Sequence, residues 1–167
     1  DYRENNAIPS LQRNQYVSQA QYLIGEMYRG LFDHIRFQLP VEKMKRDLTD
    51  KSAFFLKAQR SYLRCVRFSH PNWSVAAGFQ LGKLYEDFYD DMMEAEIPPD
   101  LDDDDKTVYF NELKAHIKPL VVRSIEIYER NIAMSDRLGQ TGEWKKKTTK
   151  RLDRMRDILR REFGDKR

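Results

Sequence analysis

Four consecutive aspartates, Asp102 to Asp105, are the most concentrated set of possible cation ligands in the chain. Calcium binds carboxylate oxygens, but a helix–loop–helix calcium loop also needs glycine at its sixth position and glutamate at its twelfth. Counted from Asp100, those positions hold Asp105 and Asn111. The pattern therefore favours a solvated acidic loop over a calcium site.

The histidines do not complete a metal or catalytic set. Glu112 and His116 are four residues apart and can share a helix face, but a di-iron bundle needs Glu-x-x-His on two helices. His34 and His70 fall at predicted helix ends, where capping and the helix dipole account for them. Nucleophile-elbow, phosphate-loop and dinucleotide motifs do not occur. The sequence therefore predicts a protein that is not an enzyme and that binds no metal or cofactor.

Charge is segregated along the chain, although the net charge is only +3. Residues 86–105 contain eleven acidic side chains and no basic one, whereas residues 144–167 contain eleven Lys or Arg against four acids. The basic segment can neutralise phosphates of nucleic acid or an anionic membrane surface. The preferred interpretation is the polar outer face that the terminal helix of an array needs, because the acidic stretch argues against a protein that seeks phosphates throughout. The opposite patches can also pair with each other, within one chain or between copies.

Length and composition indicate one elongated helical domain over residues 1–167, because 34% of residues are charged while 20 aromatic residues supply a core. The single Cys65 excludes an internal disulfide and a cysteine-based zinc site. No apolar run of about 18 residues exists, so we expect no membrane span. The start at Asp1 indicates a processed chain or a fragment, and the compartment, cell envelope or cytoplasm, stays open.

Apolar residues recur at steps of three and four over five stretches, which predicts five helices and no strand. We expect Pro119 to bend or divide the fourth helix, and Gly139 to end it in the left-handed conformation. A charged insert, residues 41–50, is expected between the first two helices. The predicted helices span about 10–36, Thr49 or Asp50 to Phe68, 72–95, 106–138 and 141–163.

Two short segments nearly repeat. Residues 22–28 and residues 79–85 both read aromatic, x, apolar, Gly, x, apolar, Tyr. Each is followed by a proline-containing break and a second helix, with Ala58-x-x-x-Tyr62 in one case and Ser124-x-x-x-Tyr128 in the other. A unit that cannot bury its apolar face alone must stack on a neighbour. The chain is therefore divided into unit 1, about 10–70, unit 2, about 72–139, and a capping helix, about 141–163.

This pattern resembles the tetratricopeptide repeat, which places glycine and tyrosine on its first helix and small and aromatic residues on its second. The glycine lets two helices approach closely, and the tyrosine fills the adjacent groove. The glycines are 57 residues apart here, against about 34 in the family, and the excess lies in inserts and longer helices. The style is similar to divergent repeat proteins of bacterial cell-envelope and motility systems. The residues that carry the repeat packing are Gly25, Tyr28, Ala58, Tyr62, Gly82, Tyr85 and Tyr128.

The resemblance implies an all-α superhelix of antiparallel helix pairs that binds a partner protein, as a peptide or helix, on its concave face. The alternative function is nucleic-acid or anionic-surface binding through the basic last helix, and self-association is also open. An architectural role, as a piece of a longer array, would be supported by an apolar first-helix face left open toward the N-terminus. The resemblance assigns the concave face to Gln19, Tyr22, Glu26, Arg29, Phe79, Lys83, Glu86 and Asp87.

Overall fold

A computed structural model describes residues 14–164, and all regular structure in that range is α-helical. Each helix packs on the next along the chain, and the first also touches the third, as the third touches the fifth. The predicted all-α fold, with helices packed in consecutive pairs, is confirmed. The helices are α1 (Gln15–His34), α2 (Val41–Arg67), α3 (Pro71–Met93), α4 (Asp103–Arg137) and α5 (Glu143–Phe163).

Helix directions divide the stack into two faces. α1 and α2 are antiparallel, because Phe32 contacts Phe55 at one end of the pair while Ser18 contacts Cys65 at the other. α1 and α3, the first helices of the two pairs, lie with α5 on one side and run parallel to it, and α2 and α4 lie on the other side. We call these sides the first-helix face and the second-helix face.

Two helices begin earlier than the sequence predicts. α2 starts at Val41 instead of Thr49 or Asp50, so the charged stretch 41–50 is helical and not an insert. Val41, Met44 and Leu48 stand at steps of three and four in its first turns, and Met44 packs against the core. The i,i+4 ion pair between Lys43 and Asp47 supports the same turns. Acidic side chains explain the early start of α4. The Asp102 side chain accepts a hydrogen bond from the backbone N–H of Asp105 at 2.9 Å and so caps the helix. The carboxylates of the first turn stabilise the helix further, because they interact favourably with the positive end of its dipole.

The aspartate run is therefore a helix start rather than a loop. α4 continues through Pro119 without being divided, and Gly139 ends it with φ of 66° in the predicted left-handed conformation. The predicted beginning of the first helix near residue 10 lies outside the described residues.

A glycine–tyrosine contact holds each pair of helices together. A Cβ on Gly25 would come 2.5 Å from the Tyr62 ring, and a Cβ on Gly82 would collide with the Tyr128 ring in the same way. Both tyrosines are fully buried. The absence of a side chain at the two glycines therefore sets how closely the helices of each pair approach.

An aromatic cluster recurs at both joints between units. Trp73 packs on Tyr22 with a centroid distance of 5.3 Å, and Tyr22 packs on Tyr62 at 6.1 Å. At the next joint, Trp144 packs on Phe79 at 5.3 Å, and Phe79 packs on Tyr128 at 6.2 Å. Because Trp144 makes the contact that Trp73 makes one joint earlier, α5 occupies the position of a first helix at the end of the described stack.

Alanine substitution at two glycines of α1 tests the close approach. Gly25→Ala should destabilise the protein by about 2 kcal/mol, because the added methyl overlaps the buried Tyr62 ring. Gly30→Ala should be neutral or stabilise by up to about 1 kcal/mol, because no atom lies near its Cβ and alanine favours helix. Urea unfolding followed by circular dichroism measures both. Equal effects of the two substitutions would contradict the packing role of Gly25.

Cys65 should be unreactive until the protein unfolds. Its thiol lies in the core 3.3 Å from the Ser18 carbonyl oxygen, and burial raises its pKa from 9.0 to about 12. At pH 8 the fraction of Cys65 present as thiolate is then about a thousandfold smaller in the folded protein than in the unfolded chain. Because the thiolate is the reactive form, the labelling rate falls with this fraction. A colorimetric thiol assay in buffer and in denaturant should show at least this ratio of rates. Rapid labelling of the folded protein would contradict the buried position.

Candidate functional site

The predicted concave-face residues lie on the first-helix face, but only part of the set is accessible. Tyr22, Arg29, Phe79 and Glu86 are buried. The other four, Gln19, Glu26, Lys83 and Asp87, are half-buried. Most of the set is engaged in contacts within the protein, so the face is largely filled by its own polar network.

Charged side chains connect α1 to α3 on this face. Asp87 accepts hydrogen bonds from Arg29 and from Lys83, the latter at 2.7 Å, and Arg29 also pairs with Asp33 at 2.8 Å. Burial lowers the pKa of Lys83, and the neighbouring Arg29 lowers it further. Since Arg29 is buried, the carboxylates around it are needed to compensate its charge.

Glu86 makes the equivalent connection from α3 to α5. Its side chain is fully buried, with Arg154 at 2.7 Å and Arg151 at 3.1 Å from Oε1. The Tyr128 hydroxyl donates to Oε2 at 2.6 Å. Arg154 also pairs with Asp90 at 2.9 Å. A buried carboxylate with three donors fixes α5 against the α3–α4 pair.

The two units carry side chains of opposite charge at equivalent positions. One residue after the glycine stands Glu26 in unit 1 and Lys83 in unit 2, and four residues after it stand Arg29 and Glu86. The buried tyrosine nevertheless donates to a carboxylate in both units, because Tyr62 reaches Glu26 at 2.5 Å. Burial and the nearby carboxylate raise the pKa of Tyr62. The hydroxyl–carboxylate bond therefore repeats although its acceptor has moved by one helical turn.

The basic last helix is largely neutralised by acids of the same chain. Pairing between the acidic and basic segments, one of the predicted alternatives, occurs at Glu86 and Asp90. Three of its cations, Lys146, Lys150 and Arg161, form no ion pair within the described residues. The α5 cations that form ion pairs are Lys145, Lys147, Arg151, Arg154, Arg156 and Arg160.

Sequence reasoning missed Lys51, a fully buried cation on α2. Its Nζ donates to the backbone carbonyls of Phe32 and Ile35 at 2.8 and 2.9 Å, and pairs with Asp91 at 2.7 Å. Burial lowers its pKa although Asp91 opposes the shift. Lys51 thus caps the C-terminal end of α1 and ties it to α3.

Sequence reasoning also missed a groove on the second-helix face, between α2 and α4 and floored by α3. The groove has a volume of about 520 Å³, and none of its lining side chains is acidic. Three arginines of α4 spaced seven residues apart were the available signal for it. The lining residues are Gln59, Leu63, Val66, Gly78, Leu81, Tyr85, Arg123, Ile127, Arg130, Asn131, Ala133, Met134 and Arg137.

No protein-family model, curated protein or solved structure matches the chain.

Residues 14–164 contain neither a cluster of metal-ligating side chains nor a membrane-spanning helix. No cluster of three or more His, Cys, Asp or Glu side chains there is placed to hold a metal ion. No helix in that range is long and apolar enough to cross a membrane. Glu112 and His116 are both exposed on α4.

Two arginines of α5 should differ sharply in their contribution to stability. Arg154→Ala should lower the free energy of unfolding by about 2–3 kcal/mol, because it removes a partner from the buried Glu86. Arg156→Ala should cost less than about 1 kcal/mol, because its pair with Glu129 is exposed on both sides. Chemical denaturation of the two variants measures the difference. Similar losses would contradict the role of Glu86 as the connection to α5.

Proposed function

We propose that the protein is a helical-repeat scaffold that binds an acidic amphipathic helix of a partner protein in the groove between α2 and α4. The observation that carries the proposal is the apolar groove itself, which is bordered by arginines and has no acidic lining residue. Exposed apolar grooves between helices commonly receive the apolar face of another helix.

The floor and both walls of the groove supply apolar contacts. Leu81 lies buried on α3, Leu63 on α2 is 39% exposed, and Ile127 on α4 is buried at the opposite wall. Tyr85 and Met134 are half-buried and complete the lining. A leucine and a methionine that are partly exposed in one concave surface favour association with an apolar side chain.

The arginines determine the charge of the occupant. Arg123, Arg130 and Arg137 stand seven residues apart, so each follows the last by about 10.5 Å along one side of α4. Arg123 pairs with Glu126 at 2.7 Å, whereas Arg130 and Arg137 form no ion pair within the described part of the chain. A helix with carboxylates every seven residues would bring one to each arginine. The row spans about 21 Å, which corresponds to a helix of about 14 residues.

Binding on the first-helix face and the tetratricopeptide assignment stay predictions. A partner there would contact the half-buried members of the predicted set, since the buried members present little surface. Nucleic-acid or anionic-surface binding through α5 also stays a prediction, and it relies on cations that are not already paired.

A helical peptide library displayed on phage tests the proposal. Selection on the intact protein should enrich sequences with acidic residues seven apart on one side of an apolar face. The double variant Arg130→Glu/Arg137→Glu should bind the selected peptides at least about tenfold more weakly, because each reversed charge repels a carboxylate. Fluorescence anisotropy of synthetic peptides at low and high salt measures the affinities.

Lys118→Glu is the matched control, because it reverses an exposed charge on the same helix outside the groove. It should leave the affinity nearly unchanged. Selected peptides that bind all variants equally would overturn the proposal. A preference for anionic vesicles or nucleic acid, lost on Lys146→Glu/Lys150→Glu, would favour the alternative function.

A further inference from the structure

α1 exposes a more apolar face than the one it buries. Its buried side chains are mixed and include a serine, a glycine and an arginine. Its exposed side carries a stripe of large apolar residues at helical spacing, among them Tyr16 at 77%, Met27 at 56% and Leu23 at 53% exposure. The remaining members of this stripe, called here the open face, are Val17, Ile24 and Leu31.

The same positions on α3 are buried against α2. A shift of 57 residues, the distance between the two glycines, places Ile24 on Leu81, Met27 on Leu84 and Leu31 on Phe88. Leu81, Leu84 and Phe88 belong to the core shared with α2, where Phe88 packs on Phe55 at 5.3 Å. Tyr16 likewise corresponds to Trp73, which packs on the preceding unit.

On α5, the residues at the equivalent positions are also buried against the preceding second helix. A shift of 71 residues, from Trp73 to Trp144, places Leu81 on Leu152 and Leu84 on Met155. Leu152 and Met155 are buried in the core shared with α4. In both cases where a second helix precedes a first helix, these positions form the joint between them.

The opposite end of the stack cannot receive such a helix. The α3 residues that pack on α4 include Phe79, Gly82 and Tyr89. Their equivalents on α5 are Lys150, Asp153 and Arg160, which are exposed. α5 therefore lacks both the glycine and the aromatic side chains that a second helix needs, whereas α1 keeps an apolar joint surface.

We propose that the open face of α1 is a stacking surface for the second helix of another helical hairpin. The occupant carries a small residue and aromatic side chains on its inner face, as α2 does with Phe55, Ala58 and Tyr62. Its first helix carries an aromatic side chain that meets Tyr16, as Tyr22 meets Trp73. The contact is continuous with the two joints already present in the stack.

Charge restricts which hairpin fits. α3 offers Asp87 and Asp91 to the buried Arg29 and Lys51 of unit 1, but the equivalent positions on α1 are Gly30 and His34. A hairpin with cations at those places would bury them without partners. The α1–α2 hairpin of a second copy is thus a poor occupant, and the matching hairpin has apolar residues at both positions.

A chimera tests this surface. A copy of residues 14–70 is inserted into the full chain directly before Asn14, the equivalent of Pro71, and only this copy carries Arg29→Met and Lys51→Met. The unaltered full chain serves as the reference. The chimera should unfold in one thermal transition with a midpoint about 5 °C or more above that of the reference, because stacked units stabilise their neighbours.

Ile24→Glu/Met27→Glu at the joint should remove this increase while leaving the chain without the added hairpin almost unchanged, because both residues are exposed there. Val122→Glu, at an exposed valine of α4, is the control and should keep the increase. Two separate transitions, or an unchanged midpoint, would overturn the proposal. So would a dimer of the full chain in sedimentation that Met27→Glu dissociates, because a second copy would then cover the open face.

Discussion

The contact between a glycine on one helix and a tyrosine ring on the next determines the spacing of the whole stack. Gly25 and Gly82 leave room for Tyr62 and Tyr128, and each tyrosine then reaches a carboxylate on the helix it packs against. The rings are fully buried, so a helix pair cannot open without exposing both a large apolar surface and a hydrogen-bonded hydroxyl. Polar and apolar contributions are therefore coupled at the same point of each unit.

Electrostatics connects the units once the pairs are formed. The acidic end of α3 faces cations on both sides, with Asp87 and Asp91 toward α1 and α2, and Glu86 and Asp90 toward α5. Much of the segregated charge is thus paired inside the molecule, whereas Lys146, Lys150 and Arg161 of α5 form no ion pair within the described residues. Besides these cations, the arginine-bordered groove and the apolar side of α1 carry groups that have no partner within the described part of the chain.

Periodicity was sufficient to predict the helices, because each has an apolar stripe at helical spacing, and the left-handed turn at Gly139 followed from residue type alone. The prediction missed the first turns of α2, where Val41, Met44 and Leu48 do stand at helical spacing but are separated by charged residues that were interpreted as an insert. The site was harder, because burial depends on which helix covers a residue. Glutamate is usually a surface residue, and Glu86 is buried only because α5 packs over it and supplies Arg151 and Arg154. The burial of Lys51 could not be predicted for the same reason, because its hydrogen-bond and ion-pair partners belong to α1 and α3.

The two tryptophans of the chain stand one at each joint between units. Trp73 is half-buried between α1 and α3, and Trp144 is half-buried between α3 and α5. Each indole therefore carries a spectroscopic signature of a different joint, without any introduced label. The fluorescence of variants that keep one tryptophan would show whether the two joints unfold at the same denaturant concentration or one after the other. The difference between the two transitions measures how cooperatively nearest-neighbour contacts hold an array of this length together.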